Sequence, residues 1–477
     1  MAADKENSAG SSVEASVDVA IVGGGFAGMT AANRLAEAGR KPVVFEAGSA
    51  PLYMCNSRVA TGALHISFHS PLEPADDLYD AIVRGSDGTA RPDLARAVAD
   101  RAAMTMAWMK ERGSEFEDHP RRMNGVPMMA PLRRMVAGLD WEESGPNLFL
   151  QMLEARLVRS GGALRRGCRV AEILKDGDGV AGVVVDGPDG RVTIRTRHVV
   201  VADGGFQADT DLVSRHISKA AAKLMQRNTG TGRGDGMRMA ISIGAATVGL
   251  ERFYGHMLSR DAMDDDRLWP YPQLDVICAK GLVVTPDGKR FDDEGRGGIY
   301  MTNAIARLDD PLSAIAVFDA TVWADAKDSD NVPPNPSLTD NGGTLISAES
   351  LDELADKAGL DAAGLKATVA ACNAAIAAGT TAGLSPTRTT AVYPAHPVAE
   401  APFYAAPLCA GITVTSGGLS VDGKARVLDG AGNPIPGLYA AGSAVGGIEG
   451  GPRVGYVGGL IKAFGIGLLA ADTISGT

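Results

Sequence analysis

One short stretch near the start constrains this chain more than any other. Residues 17–22 form an apolar run fit for a buried strand, and Gly23-Gly24-Gly25-Phe26-Ala27-Gly28 follow. Residues 29–38 carry a helical pattern, and residues 42–45 read as a second strand ending in Glu46. A strand, a G-x-G-x-x-G turn, a helix, a strand and an acid about twenty residues on form a βαβ unit suited to a dinucleotide. Gly23 permits the sharp turn, and Gly25 lets a pyrophosphate approach backbone N–H groups at a helix N-terminus, where the dipole favours negative charge. Gly28 lets the helix pack on the strand, and the Glu46 carboxylate accepts from ribose hydroxyls. The motif alone does not separate FAD from NAD.

Glycine is abundant well beyond this turn, with 60 Gly and 25 Pro in 477 residues. No G-x-y period accompanies them, so they mark tight turns or backbone packed against something. At one domain per roughly 100–200 residues, the length allows two to four domains. Lys and Arg number 46 against 57 Asp and Glu, a net charge of −11 with no long basic cluster. Such a field repels phosphate backbones, which excludes nucleic acid and anionic membrane as main partners; an anionic substrate then needs a local positive pocket. Cys55, Cys168, Cys278, Cys372 and Cys409 are far apart and form no C-x-x-C zinc or haem pattern, a reduced, cytoplasmic style of usage with no metal site. Residues 1–16 are polar and small, lack the core of a signal peptide and read as a disordered tail. The longest apolar run, 460–474, is interrupted by Lys462 and Asp472 and falls short of the roughly 18 residues that span a bilayer. The expectation is a cytoplasmic protein without a membrane span.

Along the chain, residues 17–249 read as the nucleotide-binding domain, with a mainly helical insertion at about 76–157 whose clearest helix is 94–113. Short β patterns fill 168–202, with Gly187-Pro188-Asp189-Gly190 as a hairpin turn, and a helix opens at Asp235. Residues 250–399 mix helices and loops, including a Pro/Asn-rich turn at 331–336 and an Ala-rich helical stretch at 351–378, and read as a second, capping domain. Residues 400–477 return to the first domain through strands and glycine turns, ending in a helix at about 459–473.

Further motifs follow in order: Asn56-Ser57-Arg58-Val59-Ala60-Thr61-Gly62, Asp203-Gly204-Gly205-Phe206, Gly234-Asp235-Gly236-Met237, and Gly437-Leu438-Tyr439-Ala440-Ala441-Gly442 with Gly446-Gly447. With the first turn, this ordered set resembles the flavoproteins of the fumarate reductase and succinate dehydrogenase superfamily, across residues 17–474. The resemblance implies an α/β fold: a Rossmann-like FAD-binding domain, split in sequence, with an inserted α+β capping domain that closes over the flavin. It puts FAD contacts at Gly23, Gly25, Phe26, Ala27, Gly28, Glu46 and Ala47, and sets Asn56, Ser57, Thr61 and Gly62 in the loop against the isoalloxazine ring. Val170 backs the adenine side; Ala202, Gly204, Gly205 and Asp235 line the middle. Gly442, Ser443, Gly458, Gly459 and Leu460 pack at the flavin, with the last helix pointing its N-terminus at the ring. Relatives often carry Glu where Ser443 stands, and those with covalent flavin carry His where Asn56 or Ser57 stands, so non-covalent FAD is expected.

On the substrate side the resemblance implies three residues. His256, in Glu251-Arg252-Phe253-Tyr254-Gly255-His256, faces the substrate; Arg296, after Gly288-Lys289-Arg290-Phe291 and Glu294, delivers a proton; and Arg453, in Pro452-Arg453-Val454-Gly455, grips a carboxylate. A second family His, before T-x-G-G, is missing from Thr413-Val414-Thr415-Ser416-Gly417-Gly418, which argues against fumarate itself. The implied reaction reduces or forms a C=C bond conjugated to a carboxylate or carbonyl, by hydride transfer at flavin N5, while Arg453 and His256 polarise the oxygen that gains charge. Tyr254, Tyr300 and Tyr456 raise an alternative, since relatives acting on 3-ketosteroids and cyclic ketones use Tyr pairs for acid/base work and a Tyr near the C-terminal glycines to grip the ketone. Two Arg are costly to leave unpaired beside an apolar substrate, which favours an acid. His65 and His69 follow the Asn56 loop and either face the same cavity or serve structure. A further alternative is a flavoprotein redox subunit or sensor without turnover. No second G-x-G-x-x-G stands in strand context, so no dedicated NAD(P)H site is evident and the electron partner stays open.

Overall fold

The computed structural model describes residues 15–118, 125–136, 140–328 and 332–477. The first described element precedes the expected Val17: β1 (Ala15–Ser16) pairs in parallel with Ile194 and Arg195, and the rest of the expected tail lies outside the described residues. β2 (Val19–Val22) is buried along its whole length, as an unbroken apolar run in a parallel sheet should be. It feeds α1 (Phe26–Glu37), which starts three residues earlier than the helical pattern indicated because Gly25 caps it in an extended conformation. A Cβ at Gly28 would collide with the Gly23 carbonyl and come within 3.1 Å of the Ile21 side chain, so only glycine lets this first turn close on the strand. β3 (Pro42–Glu46) follows, also buried.

The insertion is α2 (Ala75–Gly85), α3 (Pro92–Glu111), β4 (Glu115–Asp118), β5 (Pro127–Ala130) and α4 (Gly145–Arg159). Its antiparallel β4–β5 hairpin was not foreseen, because the Glu-Phe-Glu-Asp strand is charged and mostly exposed and so lacks a period-2 apolar face. β6 (Ala163–Arg166), β7 (Arg169–Asp176), β8 (Gly179–Gly187), β9 (Gly190–Arg195) and β10 (Val199–Val201) come next, with the β8–β9 turn closing between Gly187 and Gly190 at the predicted site. α5 (Thr210–His216), β11 (Met225–Gln226), α6 (Asp235–Ser242) and β12 (Thr247–Val248) complete this half.

The second half opens with β13 (Phe253–Ser259), α7 (Asp275–Lys280), β14 (Leu282–Val284), α8 (Gly298–Ala306), β15 (Ile315–Asp319) and α9 (Ala320–Asp325). The expected 331–336 turn runs into α10 (Pro334–Asp340), where Asn335 keeps an extended, non-helical backbone (φ -101°, ψ 115°) ahead of Pro336; Asn331 lies outside the described residues. After β16 (Ile346–Ala348), the Ala-rich stretch is two helices, α11 (Leu351–Ala358) and α12 (Ala362–Ala378), separated where the Asp361 side chain caps the second by accepting from the Gly364 N–H at 2.6 Å. β17 (Phe403–Thr415), β18 (Gly418–Leu419), β19 (Arg426–Leu428), β20 (Pro434–Ala440) and α13 (Gly459–Ser475) end the chain.

These strands form two six-member sheets, a four-strand meander and the two-strand pairs β4–β5 and β12–β18. The first sheet runs β19-β20-β10-β2-β3-β6, parallel except for the β19–β20 pair. The meander runs β1-β9-β8-β7. The second sheet runs β11-β17-β15-β14, with β13 and β16 also on β17. β17, just past the expected boundary at 399/400, is the hub of the second sheet, and the chain rejoins the first sheet only at β19. One buried core runs through both sheets, and a smaller one lies under α11 and α12.

Candidate active site

A cavity of about 1580 Å³ begins at the C-terminal ends of β2, β3, β10 and β20 and runs into the space beside β13 and β17. It exceeds the roughly 300–1,000 Å³ that holds one drug-sized ligand, and it starts where open parallel sheets bind ligands, beside a reversal in strand order. Gly23, Gly25, Phe26 and Ala27 line it at the start of α1; Glu46 and Ala47 line it at the end of β3. Asn56, Ser57 and Thr61 enter from the following loop, Val170 from the meander, and Ala202, Gly204, Gly205 and Asp235 from β10 and α6. Gly442, Ser443, Gly459 and Leu460 close the far wall. Three expected contacts stay outside: Gly28 is pressed on β2, Gly62 on the Met129 backbone, and Gly458 on the His65 carbonyl.

The Glu46 carboxylate accepts from the N–H groups of Gly24 at 2.8 Å and Gly48 at 2.7 Å, and burial raises its pKa. Tyr53 donates to the Gly24 carbonyl at 2.7 Å, so the glycine turn is held from both sides. Ser57 Oγ accepts from Phe26 N at 2.9 Å, which puts this hydroxyl at the α1 N-terminus, whose first turn carries no acidic residue. Arg58, from the same motif, is fully buried and structural, pairing with Glu154 at 2.5 Å and Asn147 at 2.6 Å. Asn56 Oδ1 accepts from the Thr229 N–H and hydroxyl, and its amide donates to the Thr413 carbonyl at 3.4 Å, tying this loop to β17.

Several features fit the dinucleotide that the first motif implies. Gly204, at φ +91°, has nothing within 4 Å of where a Cβ would stand, so a side chain there would protrude into the cavity. Asp203 accepts from Gly236 N at 2.7 Å through Oδ2, while its buried Oδ1 has no partner among the described residues; burial pushes its pKa up to about 7. Asp235 is paired with Arg169 at 2.5 Å across α6 and β7.

At the other end, β13 presents Tyr254 and His256 two residues apart, hence on one face. His256 Nδ1 meets Asp275 Oδ2 at 2.6 Å, and its Nε2 meets the Tyr254 hydroxyl at 2.8 Å. Asp275 Oδ1 also accepts from Met257 N at 2.9 Å, fixing the carboxylate. The Tyr254 ring stacks on Tyr456, with centroids 3.7 Å apart and planes at 13°. The Tyr456 hydroxyl accepts from Gly459 N, the first residue of α13, at 2.8 Å. Burial raises the Tyr456 pKa well above its ordinary value, helped by Tyr254 and Glu449 and opposed by the Gly459 N–H and the Arg227 charge. His65 stands edge-on to Tyr456 and stacked on Phe68; its Nδ1 accepts from Phe68 N at 3.1 Å, and burial lowers its pKa to about 4, so it is neutral.

Arg296 and Arg453 line the same cavity from its rim. Arg296 is 42% exposed, lies over the Tyr300 ring at 4.8 Å and 3.6 Å from Asp293, and donates to the Pro452 carbonyl at 3.4 Å. Arg453 is 62% exposed and lies 3.4 Å from Asp87. Tyr300 donates to Asp292 at 2.8 Å, and His69, also at the cavity, pairs with Glu73 at 3.0 Å. Asp275, Tyr271, Arg133 and Arg227 also line the cavity and escaped the sequence reading, because none sits in a motif. Arg227, one residue from Asn228 in the stretch that leads to Gly234-Asp235-Gly236, was the nearest to a readable signal.

The sequence matches a family model described as "FAD binding domain" over residues 18–455. The NADH:fumarate oxidoreductase of Klebsiella pneumoniae is 28% identical over 448 residues, covering 92% of this chain and 46% of that protein. The chain thus spans less than half of that relative's length. The 4-oxocyclohexanecarboxylate 2-dehydrogenase of Sinomonas cyclohexanicum is 28% identical over 541 residues, covering 96% of this chain and 93% of that protein. Among solved structures, the 3-ketosteroid delta1-dehydrogenase from Sterolibacterium denitrificans shares the fold with a TM-score of 0.72 at 20% identity, covering 97% of this chain and 99% of that one.

Proposed function

Since this chain belongs to the FAD binding domain family, we propose that it is an FAD-dependent oxidoreductase that forms or reduces a C=C bond conjugated to a carbonyl, with Tyr254 moving the proton. The observation that carries this reading is the Asp275–His256–Tyr254 chain, with links of 2.6 Å and 2.8 Å, inside the cavity. Bound FAD supplies two-electron hydride chemistry. The residues that hold it are Glu46 for the ribose, the α1 N-terminus with Gly25 for the pyrophosphate, and Val170 for the adenine side. With Asn56 and Ser57 in place of an attachment His, the flavin is held non-covalently.

Removing a proton from carbon beside a carbonyl needs a base, and a phenol with an ordinary pKa near 10 is a poor one at neutral pH. His256 Nε2, 2.8 Å from the Tyr254 oxygen, can take the phenol proton as Tyr254 takes one from carbon, and Asp275 steadies the imidazolium that results. In the reducing direction the same chain returns the proton. The Tyr456 hydroxyl, held by the Gly459 N–H, is poised to donate to the carbonyl oxygen as charge develops there. The Sinomonas relative is named for dehydrogenation at carbon 2 of 4-oxocyclohexanecarboxylate, a change of this class.

A second reading keeps Arg296 as proton donor and Arg453 as carboxylate grip; the Arg296–Pro452 contact supports it, since it brings both arginines to one rim. Tyr254→Phe separates the two. Turnover of a cyclic enone by reduced protein should fall by about 100-fold or more with flavin content unchanged. Full activity in that variant, with loss in Arg296→Gln, would favour the second reading. A flavoprotein that only carries electrons would leave every enone untouched.

A further inference from the structure

We infer that Arg133 and Arg227 form an anion subsite in the same cavity, so that the substrate is a keto acid whose carboxylate lies away from its reacting carbonyl. The inference rests on the carbonyl-redox reading of the cavity and adds what else the substrate carries. Arg133, in the loop after β5, is 7% exposed. It donates to the carbonyls of Val59 at 2.6 Å and Asp140 at 3.3 Å, and its buried Nη2 has no partner among the described residues although the side chain lines the cavity. The Asp140 carboxylate is engaged by Arg134. Arg227, directly after β11, donates to the Pro270 carbonyl at 3.3 Å and the Thr413 hydroxyl at 3.1 Å, and among the described residues no ion pair neutralises it. The hydrogen bonds of both guanidiniums thus go to neutral oxygens; burial lowers the Arg133 pKa and Arg227 adds to this, while Tyr271 and the Asp140 carboxylate oppose it without cancelling it.

Burying one unpaired guanidinium costs several kcal/mol, and a like-charged neighbour adds to that. A carboxylate between the two would relieve both, because the planar guanidinium fork matches its two oxygens. The lining nearby is Met128, Trp269 and Tyr271, with Arg227 over the Tyr271 ring at 5.3 Å, a wall suited to a ring or alkyl body. On a chain of net charge −11, such a local pair is what allows an anion to enter. Arg227 bonds Thr413 on β17, next to the Val414 that pairs with Tyr254, and Arg227, Tyr254 and Tyr456 all line the cavity, so this subsite and the Tyr254–Tyr456 stack face one ligand volume. The rim pair Arg296 and Arg453 is a weaker anchor, being exposed and lying beside Asp293 and Asp87.

The test uses flavin-loaded protein and calorimetric titration with cyclohexanecarboxylate and cyclohexanecarboxamide. The carboxylate should bind at least tenfold more tightly; Arg133→Gln and Arg227→Gln should each abolish that preference, and Arg227→Lys should retain part of it, with flavin content intact throughout. Equal binding of the two probes, a preference that survives both glutamine variants, or loss of flavin from those variants would overturn the inference, the last by assigning the arginines to the cofactor. Turnover by reduced protein of cyclohexenone and of its carboxylate-bearing counterpart, 4-oxocyclohex-2-enecarboxylate, is measured in parallel. Turnover without carboxylate preference overturns the subsite alone, whereas preference without turnover of either enone upholds the subsite and removes the redox reading.

Discussion

Asp203, at the end of β10, satisfies one carboxylate oxygen on Gly236 N and leaves the other buried and unpartnered among the described residues. Burial holds its pKa at about 7, well above the ordinary carboxylate range of about 4, so folding favours the protonated form. The stability this provides is complete below about pH 4 and is lost as pH rises through 7. Asp203→Asn keeps an acceptor for Gly236 and removes the charge. It should therefore raise the thermal midpoint of flavin-free protein more at pH 8 than at pH 5, and an equal shift at both would contradict the burial argument. Ser67, Phe68 and Val454 all line the cavity with φ of 48°, 69° and 53°, a region that favours glycine. Such strain persists only where surrounding contacts enforce it, and here it presents the Phe68 ring to His65 and sets the bend next to Arg453.

At the scale of elements, α13 is bolted to the loop that carries Arg453 and Tyr456. Lys462 and Glu449 meet at 2.6 Å with almost no exposure, and Glu449 also accepts from Val457 N at 3.0 Å and Gly458 N at 3.3 Å. Glu449→Gln leaves the lysine charge buried alone and should cost about 3–5 kcal/mol in urea unfolding. Adding Lys462→Met should recover at least half of that loss; no recovery would mean the backbone contacts of Glu449, not the charge pair, hold the loop. The β13–β17 pairing shows why the site was only partly legible in sequence. Register slips between Tyr254 and Gly255, leaving Thr413 without a ladder partner, and this bulged residue is where Asn56 and Arg227 converge. The glycine turns could be read because their requirement is local, a φ angle or a close approach. His256 could be read from its motif, but its partner Asp275 is set by how α7 packs on β13, and Arg133 and Arg227 by which loops the sheets bring together. Arg453 was read as the grip on a carboxylate; it lines the cavity rim, and its exposure and its contact with Asp87 depend on a tertiary neighbour that no spacing encodes.

On the scale of the whole molecule, the cavity has no single owner. Its walls come from the turn after β2, the Asn56 loop, β10, the stretch around Arg227, and the segment from Gly442 to Ala463. A ligand that touches all of these binds only the folded chain, so FAD at one hundred times its Kd should add about 2.7 kcal/mol of stability. The thermal midpoint should climb with FAD concentration, and acid precipitation should release all flavin to the supernatant; flavin retained in the pellet would refute non-covalent binding. Among the described residues no helix is long and apolar enough to cross a membrane. That last wall is far in sequence from the first. Gly442 to Ala463 follow the Gly23 turn by more than 400 residues, so the two sides of the groove meet only once the chain between them has folded. A cut in any intervening loop outside the cavity loosens the groove without touching a residue that lines it.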